Sequence, residues 1–220
     1  MAHLFRRYIP LLYGIAAFFS CFVAVQAENV AYIFGGAKFQ DAALAIAIMA
    51  FYPIHQTYGQ LSGSVFFATG QTGLYRNICV TFTVVGLPVT YFLIAPVDMM
   101  GLNTGSTGLA IKMVALQLIG VNVALYYNSR YLKLSFWKYL VHQIVCVGCL
   151  LLLAFISLKV GDYLHISSNI VINFLLNGII YSISVAGLTY FVPSLFGLSR
   201  KDIRSFFQFL SKDGIRSIER

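Results

Sequence analysis

The sequence predicts an all-α polytopic membrane protein with about six transmembrane helices, and three observations predict it. Of the 220 residues, 59% are hydrophobic and only 10% are charged, with a mean hydropathy of +0.81; a soluble domain carries about 25% charged residues. Apolar runs near the ~20 residues that cross a bilayer as a helix recur along the chain. The basic residues fall in short connections and at the two ends, as the positive-inside rule expects. Membrane lipids, not nucleic acid, are therefore the expected neighbours of a chain with a formal charge of +8. No connection between spans is long enough to fold as a separate soluble domain.

The elements follow in order. Residues 8–27, after Arg6 and Arg7, form the first span. Val25, Gln26 and Ala27 resemble a signal-peptide cleavage site, but the apolar run is longer than the roughly 7–15 residues of such a leader. Residues 28–40, with Gly35, Gly36 and Lys38, read as a short connection. Residues 41–69 read as one long second helix, with Asp41 at its positive end and a tilt or bend at Pro53, which lacks a backbone donor. Gly70 to Gly73 closes it, and Arg76 is expected in the turn that follows. Residues 77–94 form the third span, with Pro88 as a second kink, and 95–107 a loop rich in Gly, Asn, Ser and Thr. The fourth span, 108–127, contains Lys112, the one basic residue outside loops and tails. Residues 139–158 make the fifth span, 159–169 a polar connection and 170–191 the sixth span. Trp137 and tyrosines near span ends fit an interfacial belt.

Residues 1–195 thus form a membrane lobe, and 196–220 a basic cytoplasmic tail. In that tail Ile203, Phe206, Phe207 and Leu210 recur at i, i+3, i+4, i+7, which predicts an amphipathic helix on the inner leaflet. Arg6, Arg7, Arg76, Arg130, Lys133, Lys138 and the six basic residues of the tail lie on one side of this map. Lys38 and Lys159 lie on the other, so both termini are expected in the cytoplasm. Cys21, Cys79, Cys146 and Cys149 fall in apolar segments. Buried thiols there act as small hydrophobes, and no metal or cofactor is expected.

One stretch, Tyr52 to Gly70, carries His55, Gln56, Thr57, Tyr58, Gln60, Ser62 and Ser64 inside an apolar run. At 100° per residue Tyr52, Gln56, Gly59, Gln60, Gly63 and Ser64 share one helix side. Polar groups at membrane depth are costly unless they face protein or water, so this side is expected to look into a bundle or a cavity. Two readings stand. Gly59 and Gly63 can let backbones approach while the amides and hydroxyls bond across, or the face can contact a substrate. Asn169, Asn173 and Asn177 form a second polar stripe at i, i+4 and i+8, again either interhelical glue or cavity lining. Lys112 is a functional candidate because a charge within a span rarely persists without a role; the competing reading is that its amine snorkels to the interface.

Three stretches together resemble a known family. They are Phe34–Phe39 (Phe-Gly-Gly-Ala-Lys-Phe) leading into Ala42 and Ala43, the run from Tyr52 to Ser64 continued by Ala68–Gln71, and Thr107–Lys112 (Thr-Gly-Leu-Ala-Ile-Lys) with Val121, Asn122 and Tyr126–Leu132. Over roughly residues 8–195 the chain looks like the C-terminal half of a bacterial O-antigen or polysaccharide flippase of the multidrug/oligosaccharidyl-lipid/polysaccharide superfamily. The resemblance implies one lobe of a MATE-like fold, in which two helical lobes enclose a central cavity. It implies a multi-pass protein of the bacterial inner membrane that exports an undecaprenyl-diphosphate-linked oligosaccharide for O-antigen or lipopolysaccharide biosynthesis, with Lys112 the matching position expected to meet the pyrophosphate. His55, Gln56, Tyr58, Gln60, Ser64, Asn122, Asn173 and Asn177, polar residues within the spans, are the further candidates to line a cavity. The chain departs from the family in having about half its spans. It is thus expected to be a half or a fragment, and to work as a homodimer or with a separate N-terminal lobe.

Competing functions differ in what they need. A cation-coupled drug antiporter lobe calls for an intramembrane carboxylate, and the spans offer none beyond Asp41 at an edge. A membrane enzyme that polymerises or ligates glycans calls for a sizeable external loop, which is missing, so no enzymatic activity is expected. A structural membrane subunit without transport remains compatible with six spans.

Overall fold

The computed structural model describes residues 2–164, 169–202 and 205. Among them all regular structure is helical: α1 (Ala2–Val25), α2 (Ala27–Gly35), α3 (Ala43–Met49), α4 (Tyr52–Ala68), α5 (Thr72–Ile94), α6 (Gly105–Tyr131), α7 (Phe136–Leu164) and α8 (Ile170–Phe191). Single 3-10 turns lie at Ala37–Ala42, Val97–Met99 and Pro193–Phe196. Six stretches among the described residues are long and apolar enough to cross a membrane, Ala37–Ala68 counting as one stretch of 32 residues. Helices satisfy their backbone polar groups internally, as a bilayer demands. The chain is an all-α polytopic membrane protein.

Several boundaries differ from the expected map, α6 among them, which runs Gly105–Tyr131 rather than 108–127. The connection predicted at 28–40 is mostly helical, because Ala27 and Ala31, one turn apart, give α2 a small buried face that packs beside α3 and α8. α2 stops at Gly36, whose φ of 69° lies where a Cβ is disfavoured. The fifth span continues to Leu164 instead of ending at residue 158. α5 begins at Thr72, so Arg76 lies on a helix and not in a turn. The long second span breaks between Met49 and Tyr52. Pro53 occupies the first turn of α4, where its missing N–H costs nothing, while its ring denies the Met49 carbonyl a helical partner.

α1 is the central helix. Ile9, Tyr13, Ala17 and Cys21 follow one another at four-residue steps and are buried against α4 and α7. α4 answers with Ile54, Tyr58, Leu61 and Val65, and α7 with Cys146, Leu150 and Ala154. α6 packs broadly on α3, α4 and α5 but only sparsely on α7. Hydrogen bonds cross between helices where small residues let them. Asn128 Nδ2 donates to Ser62 O at 3.0 Å, and Tyr181 Oη to Phe18 O at 3.1 Å. His142 Nε2 lies 2.7 Å from Leu195 O, which can only accept, so Nε2 carries the proton.

The start of α1 and residues 199–202 meet at one face of the bundle. Arg7 approaches Asp202 to 3.7 Å, and Ser199 and Asp202 cap the turn between them: Ser199 N and Oγ both donate to Asp202 Oδ2 at 2.8 Å, and Asp202 N donates back to Ser199 Oγ at 3.2 Å. Ile203, Phe206, Phe207 and Leu210, the expected amphipathic face of the tail, lie outside the described residues.

Candidate functional site

A cleft lies on either side of α6. The first, of about 430 Å³, runs between α4, α5 and α6 and contains Lys112. Glycine makes the room: Gly59 of α4, Gly86 of α5 and Gly120 of α6 all line it. A Cβ built at Gly86 would stand 3.4 Å from Leu116 Cδ1 and 3.6 Å from Lys112 Nζ. From Lys112 to Ala124 the cleft follows α6 for about 18 Å at the helical rise. Tyr52, Tyr75, Phe82, Thr83 and Gln117 supply its remaining aromatic and polar wall.

The half-buried side chain of Lys112 sits at the level of Gly86, roughly 12 Å from the end of α5. Nζ contacts Met113 Sδ at 4.0 Å, and among the described residues no carboxylate pairs with it. An unpaired cation at the centre of a span costs about 2.5–3.5 kcal/mol on insertion scales, and an anion beside it would offset that cost.

The second cleft, of about 800 Å³, lies between α6 and α7, where the two helices touch least. Its wall is apolar apart from His55 of α4, Asn122 of α6, Gln143 of α7 and tyrosine hydroxyls. Asn122 and Gln143 bridge the two helices: Gln143 Nε2 donates to Asn122 Oδ1 at 3.1 Å, and Asn122 Nδ2 to Gln143 Oε1 at 3.4 Å and Leu118 O at 2.9 Å. His55 is 8% exposed, and its Nδ1 has no hydrogen-bond partner among the described residues. Tyr58 Oη faces the Gln143 amide outside good hydrogen-bond geometry.

The residues singled out in the sequence therefore do not form one site. Lys112 lies in the first cleft, together with Tyr52 and Gly59 of the α4 polar side. Gln56 and Gln60 share that helix side but are exposed, facing away from the bundle interior rather than into a cavity of this lobe. The reason is that Ile54, Tyr58 and Val65 claim the opposite side of α4 for the core. Ser64 is exposed, donates to Gln60 O at 3.0 Å and borders a groove between α1 and α4. His55 and Asn122 line the second cleft, and Tyr58 is packed edge-on against Tyr13 in the core at 5.2 Å. Asn177 is buried against Gly161 of α7, an interhelical contact, and neither it nor Asn173 borders either cleft. Asn169 caps α8 by accepting from Val171 N at 2.9 Å.

No family model, curated protein or solved structure matches the chain. What the sequence reading missed are Gly86, Gln117 and Gln143. Gln117 and Gln143 were detectable as uncharged polar residues within spans; Gly86 carried no signal until α5 and α6 were paired.

Proposed function

We propose that this chain is one lobe of a membrane transporter for an anionic lipid-linked oligosaccharide, a flippase lobe of the kind the sequence resembles. The observation that carries the reading is Lys112: a lone half-buried cation, without a carboxylate among the described residues, at one end of a glycine-walled cleft about 18 Å long. A pyrophosphate suits a single ammonium as a point charge, and aromatic side chains such as Tyr52, Tyr75 and Phe82 suit sugar or isoprenoid surfaces. A cleft that follows a helix across much of the hydrocarbon depth offers a path, where an enzyme would need a closed pocket. The absence of a carboxylate in the cleft wall favours an anionic cargo over a cationic drug.

The exposed amides of Gln56 and Gln60 beside this cleft support a second lobe, supplied by another copy or a separate N-terminal half. With an even number of spans, a second copy inserted the same way can be related to the first by a two-fold axis along the membrane normal. The basic bias of the sequence supports a cytoplasmic position for the face where α1 and residues 199–202 meet, in a bacterial inner-membrane protein. The test is reconstitution. Vesicles holding the chain, with and without a second lobe, are loaded with a fluorescent undecaprenyl-diphosphate oligosaccharide, and its leaflet is read by quenching. Movement that depends on the protein and falls with Lys112→Ala is expected. Equal movement with Lys112→Ala sinks the reading.

A further inference from the structure

We infer that a second copy of this chain docks on the outward side of α4, through Gln56 and Gln60, and covers the mouth of the Lys112 cleft. The docking is argued from the α4 surface alone; only its consequence for transport rests on the reading above. Pro53, Gln56, Gln60, Ser64 and Phe67 recur at steps of three and four residues and are all exposed, so they form one stripe along α4. The Gln56 and Gln60 side chains meet no hydrogen-bond partner among the described residues. They lie about 18 and 12 Å from the Ala68 end of the span Ala37–Ala68, well within a hydrocarbon core of about 30 Å. Lipid tails offer an amide neither donor nor acceptor, so polar side chains at this depth face protein or an enclosed water space. Either one needs a second body against α4.

Self-complementarity identifies that body. A primary amide carries both donors and an acceptor, so it pairs with its own kind. Six spans return the chain to the side it started from, and a copy inserted the same way is related by a two-fold axis along the membrane normal. Such an axis sets equal depths opposite each other, Gln56 against Gln56 and Gln60 against Gln60. The flanks of the stripe match as well. On one flank is an apolar groove of about 280 Å³ between α1 and α4, bordered by Tyr8, Leu12, Ser64 and Ala68. On the other flank the Phe67 ring, 63% exposed, stands edge-on to Tyr75 of α5. A two-fold axis along the stripe brings opposite flanks together, so Phe67 of each copy faces the groove of the other. The same rotation lays the exposed Leu4 and Tyr8 of one α1 over the other copy's gap between α4 and α5. Those two helices pack on α6 but only sparsely on each other, which leaves the Lys112 cleft open at that gap.

The full chain is followed by sedimentation equilibrium in density-matched micelles and by copper-phenanthroline oxidation in phosphatidylcholine vesicles. The oxidation uses a Cys79→Ser background, since Cys79 is the exposed native thiol. A dimer mass is expected. Gln60→Cys should link to itself across the axis, and Leu152→Cys, 60% exposed on α7, should not. Gln56→Leu combined with Gln60→Leu should weaken the dimer about tenfold by removing the amide pairs, with helix content unchanged because both positions are exposed. Lys112→Ala should dimerise like the parent, so a failure of the cargo reading and a failure of the docking are separate results. A chain that stays monomeric at every concentration overturns the proposal, as does one that associates only after a different protein is added. A dimer that links through Leu152→Cys and not Gln60→Cys, or that is as tight in the double variant, also overturns it.

Discussion

The Lys112 cleft and the His55 cleft share a wall, α6, and are built differently. The first is opened by missing side chains, at Gly59, Gly86 and Gly120, where α4 and α5 pack broadly on α6 but only sparsely on each other. The second is opened by a missing contact, between α6 and α7, and its side chains are large. One holds a charge and the other only neutral polar groups. The magnitudes rank them: an unpaired cation in a bilayer costs about 2.5–3.5 kcal/mol on insertion scales, an unmet neutral donor about 1–3. A chain that tolerates the larger cost at Lys112 is expected to put it to use, so changes there should reach furthest.

Lys112 gives the largest expected effect, and it separates function from stability. Lys112→Met should reduce transport on the order of 100-fold, as expected for a charged contact made to the cargo. The same change removes an intramembrane charge, so thermal unfolding in detergent should shift upward or stay put. Lys112→Arg should keep part of the transport, since the charge survives without its shape. A fall in both transport and melting temperature would make Lys112 a structural residue and erase the contrast between the clefts.

The glycines come next. At Gly86 a Cβ meets only ordinary contacts, so Gly86→Ala should transport nearly as the parent. Gly86→Leu pushes a branched side chain into the space beside Lys112 and should cut transport about tenfold or more, while overpacking costs roughly 1–3 kcal/mol. Ile144→Phe, the corresponding filling of the other cleft, should spare transport. Equal loss from Gly86→Leu and Ile144→Phe would mean that the two spaces act as one.

Smaller still are the amides. Asn128 is 1% exposed and ties α6 to Ser62 of α4, so Asn128→Ala should destabilise the bundle by about 1 kcal/mol. Asn122 is only half-buried at the second cleft and bonds the buried Gln143, and Asn122→Ala should cost about half as much. Unfolding titrations in mixed micelles measure both. A reversed order would show that α6 is held to α7 more firmly than to α4.

How far the sequence disclosed these sites depended on what each feature needs. Apolar runs of spanning length read out directly as helices, because hydropathy alone requires them. Lys112 stood out for the same reason: a charge in such a run is visible without a fold. The polar stretch on α4 was harder. Both of its sides carry polar groups, and only packing shows that Ile54, Tyr58 and Val65 turn inward while Gln56 and Gln60 stay outside. α2 was hidden because Gly35, Gly36 and Lys38 looked like loop, though its two buried alanines suffice for a helix that has α3 and α8 to lean on. The α6–α7 cleft had no sequence signal, since a gap is a property of pairs of helices.

The junction of the two chain ends gives the smallest effect, and its sign is fixed by electrostatics. Asp202 is held below the ordinary carboxylate range first by the Ser199 backbone N–H, then by the Ser199 hydroxyl, with the Arg7 guanidinium adding to both. All three favour the charged form, so the fastening of residues 199–202 to α1 is complete above the ordinary carboxylate range. It is lost as pH falls through the lowered value for Asp202. Arg7 is 57% exposed and Asp202 38%, both open to solvent screening, so global unfolding should hardly move and only the local junction should respond. Spin labels on the exposed His3 and Lys201 should give a narrow distance distribution at neutral pH that broadens in acid and in high salt. Asp202→Asn should broaden it at every pH, because the amide keeps the shape of the cap without its charge. Ser199→Ala should do so by removing the hydroxyl that Asp202 N and Oδ2 share. A narrow distribution in Asp202→Asn would mean that packing of the Pro193–Phe196 turn against α1, and not the charged junction, holds the ends together.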